Sequence, residues 1–250
     1  MEDHKVTSFK SDKEFIVTES FLKLTKKFKS LKNTKGRIIL VIGAPGTGKS
    51  SNIYHAIETV DLKYYEPILF IDNVKMSSKS VYNRINNILC EDLHVNTKNE
   101  VFTKLAKFDT VLVADKFLDS EYINKSKIGL AEWVSHKTIL TIPFYILWMI
   151  EALKYRSALK KINLIFQTAW TVQIRGFKYD IITDFGIISK IFQIILKNLF
   201  EVVKIEYTDA ETIEIVKSHN KSISPDEIKH YIKKYENKPR YILNDLEETS

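Results

Sequence analysis

Five branched aliphatic residues, Ile38 to Ile42, stand together without a polar break and end at Gly43. A run of that kind reads as a strand covered on both faces, which commits the chain to a layered α/β fold with a mostly parallel central sheet. Gly43, Ala44, Pro45, Gly46, Thr47, Gly48, Lys49 and Ser50 then fill the pattern GxxxxGKS, and the amphipathic residues 52–57 open a helix directly after Ser51. Glycines allow backbone conformations that a side chain blocks. Successive N–H groups can therefore turn inward at a helix N-terminus, where partial positive charge also gathers. Such a turn, the P-loop or Walker A pattern, is built to hold the phosphates of a nucleotide. In it Lys49 is expected to reach the β- and γ-phosphates, Ser50 to ligate magnesium and Ser51 to meet the α-phosphate.

Polar residues that close later apolar runs are the next candidates, because an open parallel sheet concentrates its chemistry at its strand ends. Asp72 closes a predicted strand at residues 67–71, and Asp115 closes another at 110–114. The second fits the Walker B pattern, whose acid orients the hydration shell of magnesium beside the P-loop hydroxyl. A strand over 163–166 ends at Gln167 and Thr168, where a polar side chain can sense a γ-phosphate.

Helices are expected where apolar residues recur at helical spacing. Phe21, Leu24, Phe28 and Leu31 form the first, an amphipathic helix packing on the nucleotide-binding layer or on a neighbouring subunit. Others are predicted over 77–90, 97–108, 143–161 and 186–199, and a last one begins at Ser224-Pro225-Asp226-Glu227. Residues 200–207 and 212–216 alternate and read as an antiparallel hairpin at one sheet edge. Residues 169–184 read as a long loop interleaving Trp170, Arg175, Lys178 and Tyr179. That composition suits stacking on a single strand of nucleic acid and equally suits a subunit interface. The acidic tail from Asp245 is expected to fray. The resulting division is a tail and helix over 1–35, a nucleotide-binding core over 36–219, and a C-terminal helix and tail over 220–250.

A net charge of +7 permits contact with nucleic acid or an acidic partner. It does not require one, since lysine is spread along the chain and only five of the 38 basic residues are arginine. Cys90 is the single cysteine, which excludes an internal disulfide framework and fits a reducing compartment. Residues 1–13 are polar, without the apolar core of a signal peptide, and the apolar stretch 139–150 is too short to span a bilayer. The expectation is a cytoplasmic protein with no membrane span.

Taken together, the P-loop, the segment Phe70-Ile71-Asp72 and the strand Leu164-Ile-Phe-Gln167 resemble the RecA-like branch of P-loop ATPases, which includes RecA, RadA and KaiC-type proteins. The resemblance covers residues 36–216. It implies a three-layer sandwich, ATP and magnesium as ligands, assembly into a homo-oligomer, Gln167 as the phosphate-sensing glutamine and the 169–184 loop as the place where that family contacts DNA. Two departures stand out. The family carries a water-polarising glutamate just beyond its second strand, whereas Asn73 and Val74 stand here and leave Asp72 as the nearest acid. The position after the Walker B aspartate, which supplies the base in other branches, is Lys116. Arg156 and Arg175 are the candidates for an arginine reaching a neighbouring subunit's site. The leading expectation is thus an oligomeric ATPase acting on a macromolecule, with DNA foremost, through Lys49, Asp72, Asp115 and Gln167. The alternative is a slowly hydrolysing ATP-dependent switch or assembly protein, and a small-molecule kinase ranks last because no arginine cluster is present.

Overall fold

The computed structural model describes residues 15–67, 71, 75–115, 133, 142–168, 171–174 and 177–248. In chain order these form α1 (Glu19–Leu31), β1 (Ile38–Ile42), α2 (Lys49–Val60), β2 (Tyr64–Tyr65), α3 (Ser78–Asp92), α4 (Lys98–Lys107) and β3 (Val111–Ala114). There follow α5 (Ile142–Lys154), α6 (Arg156–Leu159), β4 (Leu164–Gln167), β5 (Thr171–Ile174), β6 (Phe177–Asp180), α7 (Gly186–Leu199) and β7 (Glu201–Lys204). Three helices close the chain: α8 (Asp209–His219), α9 (Pro225–Tyr235) and α10 (Pro239–Glu248).

Five strands make one sheet in the order β2-β3-β4-β1-β7, with every pairing parallel. The register sets Val41 opposite both Gln167 and Val203, so the P-loop leaves the sheet between the ends of β4 and β7. Alternate residues of the strands face opposite layers. Ile39, Val41, Val111, Val113, Ile165 and Val203 point to one side, where α1 and α2 cover them. On the other side Leu112 and Leu164 pack under α3 to α6, while Leu40, Ile42, Phe166 and Val202 lie under the end of α7. The mostly parallel α/β sandwich expected from the branched run is what forms.

Helix α1 belongs to the same core. Phe21, Leu24, Phe28 and Leu31 are all buried against α2 and the sheet, each contributing about 1.5–3 kcal/mol on burial. Thr18 caps the helix by accepting from Phe21 N at 3.2 Å. Helices α8, α9 and α10 make a separate small cluster around Val216, Ile223, Ile228, Ile242 and Leu246.

Four expectations change. The edge hairpin does not form: β7 pairs parallel with β1, and Thr212 to Val216 lie inside α8. A capping box decides this, with Thr208 and Glu211 satisfying each other's backbone N–H groups, and Thr212 and Val216 are then buried one turn apart. The long helix over 143–161 breaks at Tyr155 into α5 and α6. The loop over 169–184 contains an antiparallel pair, β5 with β6, in a sheet of its own; Trp170 and Arg175 lie outside the described residues. Tyr64 and Tyr65 pair as β2, and of the strand predicted at 67–71 residues 68–70 lie outside the described residues, while Ile71 is buried. The acidic tail is not frayed at Asp245, which lies in α10 and whose carboxylate accepts from Lys234 Nζ at 2.9 Å and Tyr235 Oη at 2.7 Å of α9.

Candidate functional site

The site is built where β1 gives way to α2. Gly46 takes φ +88°, a left-handed conformation that favours glycine. Gly43 is required by close approach: a Cβ there would stand 2.8 Å from Ile205 O and 2.9 Å from Thr47 Oγ1. The turn is braced from inside by Thr47 Oγ1, which donates to Ala44 O at 2.8 Å. From outside, Tyr207 Oη donates to Thr47 O at 2.7 Å and accepts from Asn52 Nδ2 at 2.8 Å, and Asn52 Nδ2 also donates to Gly48 O at 2.9 Å. Burial pushes the Tyr207 phenol up to about 12, so it stays a donor at any physiological pH.

Lys49 folds back over the turn, donating to Gly43 O at 2.8 Å and Ala44 O at 3.4 Å. Burial pushes its amine down to about 8, against the opposing pull of the Asp180 and Asp115 carboxylates. A polyphosphate would favour the charged form. Binding above pH 8 should therefore take up a proton, about half a proton at pH 8 itself, and affinity should fall as pH rises further. Calorimetry at pH 8.5 in two buffers of different ionisation enthalpy reads this directly; identical heats would count against the linkage.

Beyond Lys49 the predicted residues converge. Ser50 Oγ donates to Asp115 Oδ1 at 3.2 Å, and Gln167 Nε2 reaches Ser50 Oγ at 3.3 Å. Asp115 is 1% exposed, and Gln167 Oε1 is a buried acceptor without a hydrogen-bond partner. An oxygen-rich set with an acceptor to spare suits magnesium, which takes few protein ligands and completes its shell with water and phosphate. Among the described residues no group of three or more His, Cys, Asp or Glu comes together that could hold a metal by itself. Asp72, Asn73, Val74 and Lys116 lie outside the described residues. Arg156 is exposed on α6, whose end packs Lys160 on Gly36 at the sheet edge opposite the P-loop.

Several residues at the site carried no signal in the sequence. Glu66 follows β2 immediately, and Tyr54 Oη donates to its two carboxylate oxygens at 2.7 and 2.8 Å. Burial, then the charges of Asp115 and Glu66, push the Tyr54 phenol well up, so all three groups share one corner of the site. Asp180, fully buried at the end of β6, accepts from Ile182 N at 3.0 Å and acts electrostatically on Lys49. The C-terminal cluster arrives from the other side: Arg240 N donates to Gly46 O at 3.2 Å, and a Cβ on Gly46 would meet the Tyr241 ring at 3.2 Å. Lys238, buried over the Tyr179 ring, pairs with Asp184 at 3.4 Å.

A parallel sheet with a GxxxxGKS turn between its first strand and the next helix, an acid at the end of β3 and a glutamine at the end of β4 is the P-loop nucleoside triphosphatase fold. No protein-family model and no curated protein matches the sequence. Solved structures similar to the chain include the DnaC helicase loader, at 17% identity over 77% of this chain and 94% of that one, with a TM-score of 0.34. They also include a STAND signal-transduction ATPase with a tetratricopeptide repeat sensor from Pyrococcus horikoshii, at 17% identity over 90% of this chain and a TM-score of 0.38. The match spans 28% of the length of that second protein. Likenesses this distant leave function to the site's own residues.

Proposed function

We propose that this chain binds ATP with magnesium at the P-loop and hydrolyses it as a RecA-like ATPase working in a homo-oligomer. The observation that carries the reading is the chain of side chains from Gln167 through Ser50 to Asp115, beside Lys49 on the glycine turn. In it the residues of the turn, Gly43, Ala44, Pro45, Gly46, Thr47, Gly48 and Ser51, hold the phosphates through backbone and hydroxyl groups. Ser50 and Asp115 hold magnesium, which when bound neutralises phosphate charge. Lys49 gives up its two carbonyl partners for phosphate oxygens. Gln167 senses the γ-phosphate from the strand beside β1. Glu66, held by Tyr54 in the corner it shares with Asp115, orients and deprotonates the attacking water, in place of Asp72.

DNA is the macromolecule this reading names, through the segment 169–184, where Lys178 is exposed. The decisive measurement is ATP turnover by the full chain with magnesium, with and without DNA at low salt. Magnesium-dependent release of phosphate is the expected result, faster with DNA, and ATP binding undetectable by titration would overturn the reading. Turnover indifferent to DNA, with no DNA retained at low salt, would remove the DNA part alone.

A second reading, an ATP-dependent switch or assembly protein, is favoured by the seating of α10 on the P-loop. The contacts of Arg240 and Tyr241 with Gly46, and of Lys238 with Asp184, tie the placement of the α8–α10 cluster to the turn that takes the phosphates. Tight ATP binding with negligible turnover selects this reading over the first.

A further inference from the structure

Helix α7 packs Leu196 on the sheet and turns two polar side chains inward beside it. Its inward side holds Ser189, whose hydroxyl donates to Ile181 O at 2.7 Å and accepts from Phe185 N at 2.8 Å. It also holds Gln193, whose amide donates to Ile182 O at 2.8 Å. The outward side is aliphatic: Ile187, Ile188, Ile191, Ile194, Ile195 and Leu199 are each more than 50% exposed. A single exposed isoleucine is ordinary, but a continuous stripe along a 14-residue helix marks a contact surface. Helix α5, in the same layer, also leaves Ile146, Ile150 and Leu153 exposed. The two helices lie in one layer, since Trp148 and Phe200 both pack edge-on to Phe166 of β4.

The charges around the stripe choose its occupant. Lys190 and Lys197 are the only ionisable side chains of α7, and both are exposed. The one acid of α5, Glu151, is buried against Lys98, which leaves Lys154 exposed there, followed by Arg156, Lys160 and Lys161. A second copy presenting the same stripe would set lysine against lysine, with no exposed acid on either helix to pair them. An anionic bilayer surface offers an apolar boundary to the isoleucines and negative headgroups to the lysines. No described helix is long and apolar enough to cross a membrane, and α7, about 21 Å long, fits along the surface. We propose that α7, with the exposed face of α5, docks this chain flat on an anionic membrane surface, a role separate from the nucleotide site.

Sedimentation of the full chain with vesicles tests this. The chain should pellet with vesicles of phosphatidylcholine mixed with phosphatidylglycerol and stay in solution with phosphatidylcholine alone. The double variant Ile191→Glu, Ile194→Glu should bind at least about tenfold more weakly, and Lys190→Ala or Lys197→Ala about fivefold more weakly each. These side chains are exposed, so circular dichroism and thermal melting should match the parent and separate lost docking from lost folding. A parent that stays in solution with the anionic vesicles, or a double isoleucine variant that pellets like the parent, overturns the proposal. So does a parent dimer by light scattering that the double variant breaks while neither protein binds vesicles, an outcome that would give the stripe to a second copy.

Discussion

Replacing Lys49 with alanine should weaken ATP binding about a hundredfold and leave the fold standing. The amine is satisfied in the free protein by two carbonyls of its own turn, Gly43 O and Ala44 O. A bound triphosphate would exchange those neutral acceptors for anionic oxygens, and removing one partner of a desolvated, hydrogen-bonded charge pair costs about 3 kcal/mol, near a hundredfold in affinity. Folding is spared for the reason that the Lys49 amine is pushed down to about 8: burial already works against its charge, so alanine relieves a desolvated cation. Titration with a fluorescent ATP analogue, alongside a thermal melt, measures both. An affinity equal to that of the parent would mean that nucleotide, if bound, is held elsewhere.

Glu66→Gln should lower turnover by about a hundredfold or more and leave ATP affinity near the parent value. Glutamine keeps the size of the side chain and can still accept from Tyr54, so the corner formed by Tyr54, Glu66 and Asp115 should survive. What it loses is the ability to take a proton from water, a contribution of roughly 10²–10⁴ in rate when the base is well placed. Phosphate release in single-turnover mixing, with binding measured separately, distinguishes the two effects. Parent-like turnover would assign the base to another acid and return attention to Asp72. Loss of binding together with rate would mean that Glu66 supports the turn and not the water.

The sequence did not single out Glu66, for a definable reason. The branched segment 67–71 is the more apolar run, and apolarity drew the predicted second strand there. The sheet pairs Tyr64 with Val111 and Tyr65 with Leu112, two tyrosines just before that run, and Glu66 follows them directly. Glu66 is thus the first acid after β2, and Asp72 lies outside the described residues. Alternation misled at 212–216, where Ile213, Ile215 and their polar neighbours satisfy a strand pattern, while Thr208 and Glu211 supply a helix start that periodicity does not weigh. Helix α7 was legible as a helix but not in its orientation. Its isoleucines alone predict a buried face; the bonds of Ser189 and Gln193 to the turn over residues 181–182, with Leu196 packed on the sheet, turn that face outward.

By itself the sequence determined the first strand, the glycine turn and its helix, because a branched run, a fixed glycine spacing and a Lys-Ser pair impose local constraints that hold in any surroundings. It also marked Asp115 and Gln167, each recognisable as the polar end of an apolar run. Tertiary structure alone decided what surrounds them: Tyr207 under Thr47, Asp180 acting on Lys49, Tyr54 gripping Glu66, and Arg240 with Tyr241 against Gly46. Apart from Tyr54 and Glu66, these partners lie far from the turn in sequence. Their approach depends on strand register and helix docking, which are set by packing summed over the whole chain and leave no mark in any one segment.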